Sequence, residues 1–457
     1  MPVYKAPLRD QQFVLHEVLQ AVEHVRQMPP FRDLDADTVN QVLEEGGRFC
    51  SQVLQPLNLS GDEQGCRFDA ATHEVRTPDG FRAAFDQLRE GGWQGLTADA
   101  EYGGQGLPHV LQIAFDEMRC AANQAWTMYS GLTQGAYECL RAFGAEPQKA
   151  IFLPKLVSAE WTGTMCLTEA AYQNAAAYAK ERLQGRSLAP GAKSDRAADP
   201  IIVHPDVRRA LLTARAWAEG GRAFSLWLAL MLDQQHHHPD ASEREFAADM
   251  MALMTPVAKA FLTDNAFDGV SQCLQVFGGH GYIHESGMEQ LLRDARINMI
   301  YEGTNSIQAL DLLGRKVLMD AGAKLRSFGK LVQQFITEQG SSLEMNEFVT
   351  PLADLGDKVQ KLTMEIGMKA MSNAEEAGAA AVSYLRVIGH LVFAYFWARM
   401  ARAALDRVGA AGADPFYRAK LATARFYFQR LLPETAYHIR AARSGAKNLM
   451  ELEAELF

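Results

Sequence analysis

A carboxylate set between an apolar run and a glycine is the residue best placed for proton chemistry in this chain of 457 residues. Glu302 lies in LLRDARINMIYEGTNSIQ (Leu291 to Gln308), directly after Ile300-Tyr301 and before Gly303. Apolar neighbours disfavour the ionised form, raise the proton affinity of a carboxyl group and so poise it as a general base. An ordinary helix-end glutamate in water has the same local pattern, and the residue alone does not separate the two readings. A second stretch, QVFGGHGY (Gln275 to Tyr282), closes a helical pattern with a Gly-rich turn. By itself it reads as a helix C-cap and turn. It follows no strand, so the dinucleotide fingerprint of a Rossmann unit is the wrong comparison. The run His236-His237-His238 offers three imidazoles, but consecutive residues point in different directions, so no metal site is expected there.

These residues need elements to hold them, and most of the chain reads as helix. Gln11 to Glu23 and Val110 to Ala122 repeat apolar residues at three- and four-residue intervals. A helix pair, Asp206 to Gln235 and Ser242 to Phe277, flanks the histidine run, and Met288 to Arg296 resumes helix after the loop FGGHGYIHESG. Beyond Gly322 a further helical unit carries the stripe Leu385, Ile388, Val392, Phe396. Strand signals are few: Arg67 to Phe81 is predicted as one hairpin, with Pro78-Asp79-Gly80 as its turn. With 45 basic against 55 acidic residues, the net charge of -10 argues against a nucleic-acid or anionic-membrane surface. Six scattered cysteines without a CxxC pair suggest a reduced protein with neither zinc nor disulfides. No signal or transit pattern opens the sequence, and the most apolar stretch, Val387 to Ala398, is too short to cross a bilayer. A cytoplasmic location is expected.

Taken together and in order, QVFGGHGY and RDARINMIYEGTNSIQ resemble the signature of the acyl-CoA dehydrogenases. Upstream, EYGGQGLP (Glu101 to Pro108) and EWTGTMCLTEA (Glu160 to Ala170) resemble two further signatures of that family. The C-terminal third resembles the extra helical domain of a long bacterial subfamily. The resemblance implies FAD as cofactor and an acyl-CoA thioester as substrate. Glu302 matches the glutamate that removes the α-proton while the β-hydrogen leaves as hydride to the flavin. The thioester carbonyl would be held by a flavin hydroxyl and by the backbone N–H of residue 302, donors worth about 3–4 kcal/mol each in comparable sites. Tyr301 and Gly303 are implied in substrate binding. Leu167 and Thr168 match positions lining the flavin ring. Gln275, Gly278 and Gly279 match a loop that holds the adenine–pyrophosphate end of FAD on a neighbouring subunit, Arg182 matches its pyrophosphate-pairing arginine, and Thr304 matches a nearby contact. Ser306 stands where several relatives have glutamine. A homodimer or higher homo-oligomer and an electron-transfer flavoprotein as acceptor follow from the same resemblance.

The sequence departs from the family after CLTEA. There the family continues with a Gly-rich turn, a β-barrel domain and the first half of a bundle helix. Here Glu169-Ala170 runs straight into AYQNAAAYAKERLQGR, which is similar to the second half of that helix. A segment on the order of a hundred residues, the size of a small domain, is absent. The expected fold class is therefore all-α, with the β-barrel middle domain deleted. It comprises an N-terminal helical domain (1–170), a helical bundle with a shortened first helix (171–322) and an additional C-terminal helical domain (323–457). Three functions stay open: an acyl-CoA dehydrogenase, a non-enzymatic helical oligomeric remnant of that family, and an acyl-CoA oxidase.

Overall fold

Apolar residues at helical spacing build helices through almost the whole computed structural model, which describes residues 3–131, 133–160, 170–188, 198–301, 303–409 and 414–456. The helices that position the site are α1 (Leu8–Gln12), α2 (Ala36–Phe49), α3 (His109–Ala122), α4 (Ala170–Glu181), α5 (Pro205–His237), α6 (Ala241–Phe277), α7 (Met288–Ile297) and α8 (Asn305–Leu310). The C-terminal third adds α9 (Ala323–Gln339), α10 (Asn346–Ser372), α11 (Glu375–Val408), α12 (Pro415–Phe426) and α13 (Glu434–Arg443). Among the described residues the only sheet is a two-stranded antiparallel hairpin, β1 (Arg67–Asp69) with β2 (Glu74–Arg76), and it is exposed throughout. The all-α class follows.

Local chemistry sets the ends of the two long central helices. Pro205 opens α5, where a missing N–H costs nothing because that group has no partner inside the helix. Asp240 caps α6 by accepting from the Ser242 N–H at 2.8 Å, and α6 stops at Gly278, whose φ of 59° is costly for any side chain.

Three local expectations are corrected. Gln11 to Glu23 is not one helix: α1 passes into a π-helical turn at Phe13–Val18, and Gln20 reverses the backbone at φ 49° before helix resumes at Ala21–Val25. Phe13, Val14, Leu15, Val18, Leu19 and Ala21 are all buried, more than one helical stripe can present to a core, and the break lets both runs face it. The hairpin turns at Ala70 to His73, with His73 at φ 58°. Pro78-Asp79-Gly80 instead leads into the helix Phe81–Glu90. The stretch FGGHGYIHESG contains a short helix, Gly279–Tyr282, and a 3-10 turn, His284–Ser286, rather than open loop.

One continuous apolar core takes side chains from Tyr4 to Ala442. Its axis is α11, where every residue from Val387 to Ala398 is buried. By length and composition α6 and α11 could each cross a membrane, yet 50% and 78% of their apolar windows are buried inside this fold, as in core helices of a soluble protein. Gly389 lets α11 lie directly on α6, since a Cβ there would collide with the Phe261 ring. Gly389→Ala is expected to lower stability by about 1–3 kcal/mol through overpacking, read as a drop in the thermal unfolding midpoint.

Candidate active site

Helices α3, α5 and α6, with the start of α4, enclose a cavity of about 520 Å³. Its wall is mainly apolar, with Ile113, Leu226, Leu262, Val270 and Phe393 among its residues, and Asn298 and Tyr301 join it from the segment after α7. The Tyr301 hydroxyl donates to Asn298 Oδ1 at 2.7 Å. On the far side of position 302, Asn305 is clamped to α6. Lys259 Nζ donates to its Oδ1 at 2.8 Å, while its Nδ2 donates to Asp264 Oδ1 at 2.6 Å and to Thr263 Oγ1 at 3.0 Å. Lys259 and Thr263 also line the cavity. Gly303 adopts φ 87°, and a Cβ there would come 2.6 Å from the Gln308 amide, so the position favours glycine twice over. The residues flanking 302 are thus anchored at the cavity from both directions. Glu302, Leu167 and Thr168 lie outside the described residues.

A second group of predicted residues gathers elsewhere. Tyr178 of α4 stacks on Phe277 of α6 with ring centroids 4.2 Å apart and planes at 18°. That contact sets the end of α4, with Arg182, beside the end of α6, with Gln275, Gly278 and Gly279. All four residues are exposed, and a Cβ at either glycine would meet nothing within 4 Å. Among the described residues no group pairs with the Arg182 guanidinium, whose planar fork suits phosphate oxygens. An open glycine turn beside an unpaired guanidinium fits the pyrophosphate end of a dinucleotide such as FAD. Thr304 is exposed at the N-cap of α8, and Ser306 is exposed in its first turn.

Sequence reasoning missed the polar groups that hold the cavity wall together. Asp233 of α5 caps α3, accepting from the backbone N–H of His109 at 2.7 Å and of Val110 at 3.2 Å. The same carboxylate meets His109 Nδ1 at 2.9 Å, and Glu138 lies 3.4 Å from Nε2. Burial pulls the imidazole pKa down, but the hydrogen bonds to Asp233 and Glu138 and their charges outweigh it and raise the value to about 9. A folded pKa above the unfolded one means a contribution that is full below about pH 6.5 and lost as the pH rises toward 9. The span corresponds to about 3 kcal/mol. Urea titrations at pH 6 and pH 9.5 should therefore show a larger alkaline loss for the native chain than for His109→Gln; parallel losses would contradict it. The neighbouring His236 and His237 are held below the usual imidazole range, first by burial and then by nearby positive charge. His237 packs edge-on against Phe31. A different trio, Asp62, His284 and Glu289, brings possible ligand atoms within 4.8 Å, but Arg293 already bonds both carboxylates at 2.8 Å.

The arrangement is an apolar pocket between bundle helices, with an exposed, dinucleotide-compatible glycine turn at the ends of two helices. Residues 37–160 match the acyl-CoA dehydrogenase N-terminal domain, 159–318 the acyl-CoA dehydrogenase C-terminal domain, and 328–453 the acetyl-CoA dehydrogenase C-terminal-like domain. A butyryl-CoA dehydrogenase of Syntrophomonas wolfei is 30% identical, with 97% of this chain and 98% of that protein covered. The 3-methylmercaptopropionyl-CoA dehydrogenase of Ruegeria pomeroyi is 28% identical over 97% of this chain and 98% of the relative. The chain belongs to the acyl-CoA dehydrogenase family. In fold it is similar to a Caenorhabditis elegans ACDH-11 structure in complex with C11-CoA (TM-score 0.72, 13% identity, 99% of this chain and 96% of that one). It is likewise similar to an FAD-complexed acyl-CoA dehydrogenase from Bacillus anthracis (TM-score 0.69, 14% identity, 94% and 91%).

The comparisons also bear on the junction near residue 160. The N-terminal match ends at residue 160 and the C-terminal match begins at 159, so nothing separates them. The Ruegeria alignment extends over 593 positions against 457 residues here, leaving at least 136 positions without a counterpart in this chain.

Proposed function

We propose that this chain is an FAD-dependent dehydrogenase that converts an acyl-CoA thioester to its trans-2-enoyl-CoA. The observation that carries the reading is the apolar cavity whose wall includes Tyr301, the residue before Glu302. The acyl group enters between α3, α5 and α6, where burial of each methylene contributes about 0.8 kcal/mol. Glu302 takes the α-proton, and the anchors at Asn298 and Asn305 hold its neighbours against the cavity. The backbone N–H of residue 302 binds the thioester oxygen, where negative charge develops as the proton leaves. FAD would supply the hydride acceptor for the β-hydrogen. Arg182 would hold its pyrophosphate, with Gln275, Gly278 and Gly279 toward the adenine end, Leu167 and Thr168 toward the ring, and Thr304 as a further contact. The exposed Arg182, Gln275, Gly278 and Gly279 would serve the cofactor of a second copy, which makes the working unit at least a homodimer, and the electrons pass to an electron-transfer flavoprotein in the cytoplasm.

The absent segment favours one further reading, a helical remnant that keeps the bundle without a competent flavin pocket. The visible spectrum of the purified full chain decides between them. The dehydrogenase shows a flavin band, present as isolated or after adding FAD, that bleaches anaerobically with an acyl-CoA. A colourless protein that takes up no FAD overturns the proposal, and rapid aerobic peroxide formation with an acyl-CoA would reassign it to an oxidase.

A further inference from the structure

The helix whose first turn closes the cavity has little of its own to hold it. Ala171 and Tyr172 line the cavity from the start of α4, a helix of 12 residues set beside two of 33 and 37. The core face of α4 is Ala171, Ala175 and Ala179, buried at a spacing of four, and each brings only a methyl group to the contact. A helix this short is marginal in water without tertiary support. Its far end gains that support where Tyr178 stacks on Phe277. Its first turn needs another source.

That source is the segment ahead of α1. The Val3 N–H donates to Asn174 Oδ1 at 2.9 Å, and Asn174 Nδ2 donates back to the Val3 carbonyl at 3.4 Å. Two residues on, the Lys5 N–H donates to Gln173 Oε1 at 3.0 Å, and Gln173 Nε2 donates to the Lys5 carbonyl at 2.9 Å. Each amide therefore holds both backbone groups of one residue, as a neighbouring strand holds alternate residues of an extended chain. The side chains of Val3 and Lys5 are exposed, so the contact is made through the backbone. Between them the Tyr4 side chain is 4% exposed and joins the main core. Ala6 fits against α2, where a Cβ on Gly47 would lie 2.9 Å from its methyl group. Residues 3 to 6 form a strap, fixed to the core and α2 on one side and to α4 on the other.

We propose that Gln173 and Asn174 are positioning residues: through them the strap seats the first turn of α4, and with it Ala171 and Tyr172, against the acyl cavity. The inference rests on the acyl-CoA reading above and adds the element that sets how closely the cavity wall meets the acyl chain. The four bonds lie where water competes for them, so each contributes modestly and the strap is releasable. A released strap leaves α4 held at one end only, and this part of the wall loses order while the rest of the fold persists.

The test removes the strap's donors without touching the cavity or the core. Val3→Pro with Lys5→Pro deletes two N–H groups at exposed positions, whereas Val3→Ala with Lys5→Ala keeps them. In hydrogen exchange of the full chain, the amides of Ala170–Glu181 should exchange about tenfold faster in the proline variant, with α5 and α6 at native rates. Titration calorimetry should show hexanoyl-CoA bound about 5- to 20-fold more weakly by the proline variant and unchanged by the alanine variant. Gln173→Ala with Asn174→Ala breaks the same bonds from the helix side and should weaken binding equally, even though alanine favours helix. A strap that only adds stability would lower the unfolding midpoint and leave the affinity of the folded chain as it was, which would overturn the proposal. Unchanged exchange in α4 would also overturn it, and that measurement needs no ligand. Failure of the native chain to bind hexanoyl-CoA would instead overturn the acyl-CoA reading. The two variants break the contact from opposite sides, so if one fails to fold the other still decides.

Discussion

Lys420→Met should lower the unfolding free energy by about 3–5 kcal/mol, the typical result of removing one partner from a buried ion pair. Lys420 is fully buried in α12, with Nζ donating to Asp10 Oδ1 of α1 and, at 2.7 Å, to Glu219 Oε2 of α5. Arg222 bonds Asp10 and reaches Glu117 of α3 at 2.7 Å, while Arg215 donates to Glu219 at 2.7 Å. Three carboxylates face three cations, and the cluster joins the first helix, the bundle and the C-terminal third. Burial alone would raise the Asp10 pKa, but the charges of Lys420 and Arg222 outweigh it and bring the value to about 2. Its folded value lies below the unfolded one, so this contribution is present above about pH 3.8 and lost as the pH falls toward 2. Methionine fills the space among Phe13, Phe416 and Trp397 but leaves one negative charge in excess. Adding Asp10→Asn to Lys420→Met should therefore restore part of the loss. Urea unfolding of the four proteins in a double-mutant cycle gives the coupling, and additive losses would contradict a shared network.

How far such features can be read in advance depends on the physics of each. Helices α3, α5, α6 and α7 match their sequence readings closely because each shows apolar periodicity between clear start or stop signals at Pro108, Pro205, Asp240, Gly278 and Gly287. The break at Gln20 was not legible, because nothing in its residue type announces a left-handed backbone; tertiary burial of the flanking residues imposes it. Tyr301 and Gly303 belong to a motif contiguous in sequence, so the placement of Tyr301 at the cavity could be anticipated. The pairing of Asn265 with Arg386 could not, because the guanidinium arrives from a third helix far along the chain. Likewise, Asp10, Glu219 and Lys420 stand far apart in sequence, and only packing shows that their charges cancel. Motifs carry local chemistry, whereas long-range pairing carries specificity and stability.

Glu302→Gln should remove dehydrogenation, with the rate of anaerobic flavin bleaching by an acyl-CoA falling by at least the ~10²–10⁴-fold expected for loss of a general base. Glutamine keeps the shape of glutamate but cannot accept the α-proton, and the backbone N–H that would bind the thioester oxygen is untouched. The flanking anchors belong to other residues: the Tyr301 hydroxyl on Asn298, and Asn305 on Lys259, Thr263 and Asp264. Cofactor and acyl-CoA binding should therefore survive, so the loss should appear in kcat with little change in affinity. Asn305→Ala is the contrasting variant. It keeps the carboxylate but removes the clamp to α6, and it should lower kcat less while weakening acyl-CoA binding, because a loosened segment costs orientation as well as contact. The two variants separate chemistry from positioning at one site. Dehydrogenation by Glu302→Gln at the native rate would remove the base assignment, and equal losses of binding in both variants would show that residue 302 shapes the cavity instead of acting on the proton.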